Sequence, residues 1–217
     1  PLLQIQAESI KQYLNPQDIN SITIVVNDDN SIADLINTSW YGHNESKVQI
    51  KCYSRWNYTS RITGWENQQI CKLMAASEAQ SKWSMVLDAK TWFIQPFETD
   101  KFFDAEGRPK VGRVPVMSVF ASSKDFVEQL YNVTLNEVLG PGGVPFIFHT
   151  ETVKEMIDEF DDFIEFFQAN VRYPNLVTEF HLYSGYVLKR FGNYDILYNK
   201  THYYNVYNIC HSEARNF

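Results

Sequence analysis

Short apolar runs that stop at polar residues most constrain what this chain can become. Ile22–Val26 reads ITIVV and runs into Asn27-Asp28-Asp29-Asn30, and residues 83–87 read WSMVL and stop at Asp88. Five mostly β-branched residues suit a strand buried on both faces, and the Asn/Asp cluster predicts a turn capping a short helix over 31–37. Residues 48–53 alternate like a second strand, and 91–94, 114–120 and 144–148 read as further ones. Between them the period changes. Ile70, Leu73, Met74 and Ser77 recur at helical spacing within 64–79, and Val153, Met156, Ile157, Phe160, Ile164 and Phe167 mark one strongly amphipathic helix. Leu3, Ile10 and Leu14 give an opening helix that ends before Asn15-Pro16. Ser122 and Asp125 read as a capping box for a helix through Phe126, Leu130 and Tyr131, and another helix is expected over 179–191. Strand and helix alternate, which predicts a single α/β domain over 1–217 with a mostly parallel central sheet flanked by helices and ligands at the strands' carboxyl ends.

Composition removes some function classes. With 19 basic and 26 acidic residues the chain carries a net charge of -7, which argues against general affinity for nucleic acid or anionic membranes. Seven acids and one lysine fall within 151–165, net -6, so the remaining residues sum to -1 and an anionic small ligand stays admissible. No apolar run approaches the roughly 18 residues of a transmembrane helix, and the start, PLLQIQAESI, lacks signal-peptide character. Cys52, Cys71 and Cys210 are odd in number and not spaced as CxxC, which fits reduced thiols and a cytoplasmic location.

Chemistry concentrates at strand ends. Strand period would place Asp88 and Lys90 on one side, where the acid would hold a divalent ion bridging phosphates and the lysine would neutralise phosphate directly. A solvated Asp–Lys pair is the competing reading. Gln68 and Lys72, four apart on one helical face, would point together at a polar ligand or simply at solvent.

In order, the segments ITIVVND, GW..QQ..KL, VLDAKTWFIQPF, PF.FHTE and TEF.LYSGY resemble a bacterial and phage family of GT-A-type glycosyltransferase-like proteins, itself mainly a domain of unknown function. The resemblance covers Pro1 to about Tyr198. It implies a GT-A-like fold whose first strand would precede Pro1, so that this chain lacks it. It also implies transfer of a sugar from a nucleotide-sugar donor to a saccharide or other hydroxyl acceptor, in a polysaccharide pathway. Asp88-Ala89-Lys90 stands where such enzymes carry an Asp-X-Asp that binds Mg or Mn. With Lys90 in place of the second acid, two routes stay open: Asp88 alone holds the ion, or Lys90 stabilises the leaving diphosphate without metal.

By the same matching, Asn27, Asp28, Gln68, Lys72, Asp88 and Lys90 would bind the donor, although Asn27 and Asp28 also suit helix capping. Glu179, at the start of an aromatic-bearing helix, would be the general base, with Asp88 as the other catalytic residue. A helix-dipole acid is the alternative for Glu179. His149 and Tyr183 would contact the acceptor, against the reading of His149 as a structural hydrogen-bonding residue. Arg108 and Lys110 would close a loop over an anionic donor or remain solvated. One rival is a catalytically silent glycan-binding or scaffolding protein. Another is a hydrolase or nucleotidyltransferase using Asp88 with His149 or His211.

Overall fold

The computed structural model describes residues 2–27, 30–53, 64–140, 145–200 and 209–211. Seven helices, α1 (Leu2–Tyr13), α2 (Gly64–Ser77), α3 (Thr99–Phe102), α4 (Ala121–Tyr131), α5 (Thr150–Asp158), α6 (Phe163–Asn170) and α7 (Glu179–Phe191), alternate with short strands among the described residues. The strands are β1 (Ile22–Val26), β2 (Val48–Cys52), β3 (Trp83–Val86), β4 (Thr91–Phe93), β5 (Lys110–Val111), β6 (Arg113–Val114), β7 (Val138–Leu139), β8 (Phe146–His149), β9 (Asn199–Lys200) and β10 (Ile209–His211). The fold is mixed α/β.

The sheet differs from the expected mostly parallel one. Described strands pair two by two: β1 with β2 and β5 with β9 in parallel, but β3 with β8, β4 with β10 and β6 with β7 antiparallel. Strand character is local, whereas pairing direction depends on how the intervening chain returns.

The β3–β8 pair divides the interior. Phe146 and Phe148, fully buried, face a core built from α2, α4, α5, α6 and α7, while Ile147 between them faces a second core with Ala7 and Ile10 of α1, Ile24 of β1 and Phe93 of β4. The strand's two-residue period thus serves two hydrophobic clusters, which is why its sequence is continuously apolar.

Three local readings are corrected. The strand expected over 114–120 stops at Val114, since Pro115 has no N–H for a ladder, and Ser118–Phe120 is a 3-10 turn. Helix α4 begins at Ala121 without a side-chain cap, so Ser122 and Asp125 form no capping box. The single helix expected from 151 to 167 is two, α5 and α6, because Asp162 accepts the Glu165 N–H at 2.9 Å and caps a new start. Its acids are partly paired: Lys189 reaches Glu159 at 2.6 Å and Arg190 reaches Glu155 at 3.3 Å.

Candidate functional site

Helix α2 is buried on one side through Ile70 and Leu73, and Gln68, Lys72 and Ala76, at successive turns of another face, line a cavity of about 630 Å3. That volume falls in the range of small-ligand pockets. Asn27, at the carboxyl end of β1, and Asp88, just past β3, line the same cavity. Successive residues 21–25 and 83–86 also line it, so the backbone edges of β1 and β3 face the space, rather than one side-chain face of each.

Lys72 is the centre of the charged cluster. Its Nζ lies 3.2 Å from Asp88 Oδ1 and 3.2 Å from Glu179 Oε1, and 5.5 Å from the centre of the Phe180 ring. The three charges come from α2, the turn after β3 and the first turn of α7. Glu179 is only 3% exposed. Its backbone N–H donates to Gln69 Oε1 at 3.2 Å, and Thr178 caps the helix by accepting the His181 N–H. Burial raises the Glu179 carboxyl above its ordinary pKa; Lys72 pulls it back and Asp88 adds to the rise.

The supports are polar and specific. Gln6 of α1 donates Nε2 to the carbonyls of Asp88 and Thr91, at 2.8 and 2.7 Å, which fixes the turn that presents Asp88. Asn67 donates to the Asn27 carbonyl at 2.7 Å and ties α2 to the end of β1.

Lys90 is exposed in the turn closed by Thr91 N–H to Asp88 carbonyl. Strand period therefore stops before Asp88, and the lysine beside that carboxylate is Lys72. Sequence spacing marks Asp88 and Lys72 without pairing them. Their only advance signal was the shared helical face of Gln68 and Lys72.

His149 is placed elsewhere. Antiparallel pairing sets it opposite Trp83, at the amino end of β3, whereas Asp88 follows the carboxyl end. Its ring lies 4.9 Å from that of Trp83, and Nδ1 is 2.8 Å from Thr152 Oγ1. Burial, then Lys82, lowers its pKa. Tyr183 is fully buried; its hydroxyl accepts the His149 backbone N–H and meets the Tyr198 hydroxyl at 2.6 Å, and Tyr198 donates to the Ile147 carbonyl. Both residues belong to this polar chain inside the fold, not to the cleft, and the geometry removes a hydrolytic pairing of Asp88 with His149. Asp28 and the His211 side chain lie outside the described residues. Arg108 and Lys110 are anchored within their own region, Arg108 to Asp104 and the Asp195 carbonyl, Lys110 to the Asp100 carbonyl.

The described residues of the cleft do not fit a divalent ion. Among the described residues no three His, Cys, Asp or Glu side chains are grouped to hold a metal, and the Lys72 ammonium already stands against Asp88. Nor is any described helix long and apolar enough to cross a membrane.

No curated protein matches the chain. A family of unknown function, DUF6492, matches residues 2–213.

Proposed function

Since the chain belongs to DUF6492, a family without an assigned function, we propose an activity from the cleft itself: transfer of a sugar from a nucleotide-sugar donor to a hydroxyl acceptor. The observation that carries this reading is Lys72, a cation held between two carboxylates on the wall of the cavity that β1 and β3 line. A bound diphosphate would take over Lys72 from Asp88, and Asn27 and Gln68 would hold the rest of the donor. The freed Asp88 carboxylate, 23% exposed, accepts the acceptor hydroxyl proton. The acceptor oxygen forms its bond to the anomeric carbon as the bond to the phosphate oxygen breaks. The electron pair leaves with the diphosphate, where Lys72 offsets the developing charge. Glu179 lies behind Lys72, too buried to meet an acceptor, and in this reading it positions the ammonium rather than acting as the base. Lys90 lies on the rim. In this reading the Lys72 ammonium, rather than a metal ion, stands against Asp88.

The accompanying fold reading is a GT-A-like arrangement in which the cavity lies between β1 and β3. Backbone edges of both strands along the cavity support it, and the ligand would then occupy the carboxyl mouth around Lys72. Calorimetric titration with uridine- and guanosine-diphosphate sugars, with and without Mn, tests the reading. Binding should be indifferent to Mn and weaken at least tenfold in Lys72→Met, a loss of about 1.4 kcal/mol. Absence of binding by every donor in a fully folded sample would sink it.

A silent binding protein is the second reading, favoured by the closed pairing of Lys72 with both carboxylates. Donor binding without either transfer or donor hydrolysis would select it.

A further inference from the structure

The cavity beside Lys72 extends well beyond the charged cluster. It follows β1 from Ser21 to Val25 and β3 from Trp83 to Asp88, nearly the full length of both strands. The two strands run in the same direction. Asn20 Nδ2 donates to Ser81 Oγ at 3.0 Å across their amino ends, and at their carboxyl ends Asn27 and Asp88 both meet α2, through Asn67 and Lys72. Each strand has one partner among the described residues, β2 for β1 and β8 for β3, which leaves each an open edge. No described residue makes a backbone hydrogen bond to either edge along 22–25 or 83–87.

The exposure of β3 runs against its sequence. Residues 83–87, WSMVL, have the composition of a strand covered on all sides, yet every one of them is partly exposed, whereas Phe146 and Phe148 on the partner strand β8 are fully buried. The remaining walls of the cavity are helical. Leu3 and Ile10 of α1 line it, and so do Cys71, Ala75 and Ala79 of α2. Because Ile24 and Ile147 of the sheet face α1 while Phe146 and Phe148 face α2, the two helices cover opposite faces of the strands. Among the described lining residues the charged ones stand only at the ends, Asp18 and Lys82 at the amino end, Lys72 and Asp88 at the other.

Two open strand edges on one uncharged slot, with a helix over each face, fit an extended peptide. An alkyl chain would leave the N–H and C=O groups of both edges without partners, and an anionic group would meet no cation in the body of the slot. A strand bonds both edges at once and sends alternate side chains to the two helices. We propose that the slot accepts an apolar β-strand of about five residues from another polypeptide, parallel to β1 and β3. Its large side chains point to the small Cys71, Ala75 and Ala79 wall and its small ones to Leu3 and Ile10, with charge confined to its flanks. The proposal stands apart from the transferase reading, which concerns the polar mouth at Lys72.

Amide hydrogen exchange read by mass spectrometry tests this. The probes are acetylated, lysine-flanked peptides whose cores alternate Phe or Leu with Ala or Val, the same peptides N-methylated at alternate core positions, and decanoate as an alkyl occupant. At least one unmethylated peptide should slow exchange over 21–26 and 83–88 by about tenfold or more, and its N-methylated form should not. Ala75→Phe, which fills the slot from the α2 side, should abolish that protection while thermal unfolding shows the variant folded; Ala79→Phe takes its place if Ala75→Phe does not fold. No protection by any peptide, equal protection by the N-methylated forms or by decanoate, or the same segments already protected in a self-associated protein before peptide is added, overturns the proposal.

Discussion

Replacing Lys72 with Met removes the one cation between Asp88 and Glu179 while keeping most of the side-chain volume. Asp88 retains some solvent, but Glu179 at 3% exposure does not, so the cost falls on Glu179. Its folded pKa already lies above the ordinary 4.5, and without Lys72 it rises further. A carboxyl whose folded pKa is raised keeps its contribution below the unfolded value and loses it as pH climbs through the folded one. The penalty of Lys72→Met is therefore smallest at low pH. It then grows by up to about 1.4 kcal/mol per pH unit until it levels off at roughly 3–5 kcal/mol, the usual cost of an orphaned buried charge. Urea unfolding at pH 5, 6, 7 and 8 measures this directly. Lys72→Met/Glu179→Gln should be more stable than Lys72→Met at pH 8 and lose the added slope. Equal penalties at pH 5 and pH 8, or a double variant no better than the single, would refute the account of a buried carboxyl whose charge Lys72 offsets.

Two further outcomes concern the packing behind the site. His181 is buried against Ser123 and Phe120, and burial depresses its pKa to about 4. The folded protein should thus lose roughly 3 kcal/mol as pH falls from 6.5 through 4, a slope that chemical denaturation would find missing in His181→Gln. Gly185→Ala would place a Cβ 2.2 Å from Val127 Cγ1 and 3.1 Å from Tyr131 Cδ2. Despite a better helix former, it should cost about 1–3 kcal/mol in thermal unfolding, and Val127→Ala in the same chain should recover part of that loss.

What the sequence disclosed follows the range of the interactions involved. The spans of α1, β1, α2 and α7 rest on periodicity and caps within a dozen residues, and the chain carries those signals openly. The grouping of Asn27, Gln68, Lys72 and Asp88 is an implication of the family resemblance; strand ends and one helical face mark these residues without joining them. The rest depended on distant partners. The direction of β8 is set by pairing with β3 more than sixty residues away, and that direction carries His149 to the far end from Asp88. Strand spacing extended past Val86 puts Lys90 beside Asp88, but the chain there is a turn fastened by Gln6. Glu179 has the composition of an ordinary first-turn acid; only the approach of Gln69 and Lys72 from another helix buries it.

The close approach at Gly185 sets the reach of the charged cluster. Helix α7 can lie as near to α4 as it does because no side chain stands between its sixth residue after Glu179 and Val127. An α-helix transmits such a spacing as a nearly rigid rod, here over about 9 Å. How far Glu179 extends toward Lys72 is thus gauged by a contact in the opposite wall of the core. Drift that thickens that contact would detune the cluster without altering any residue in it.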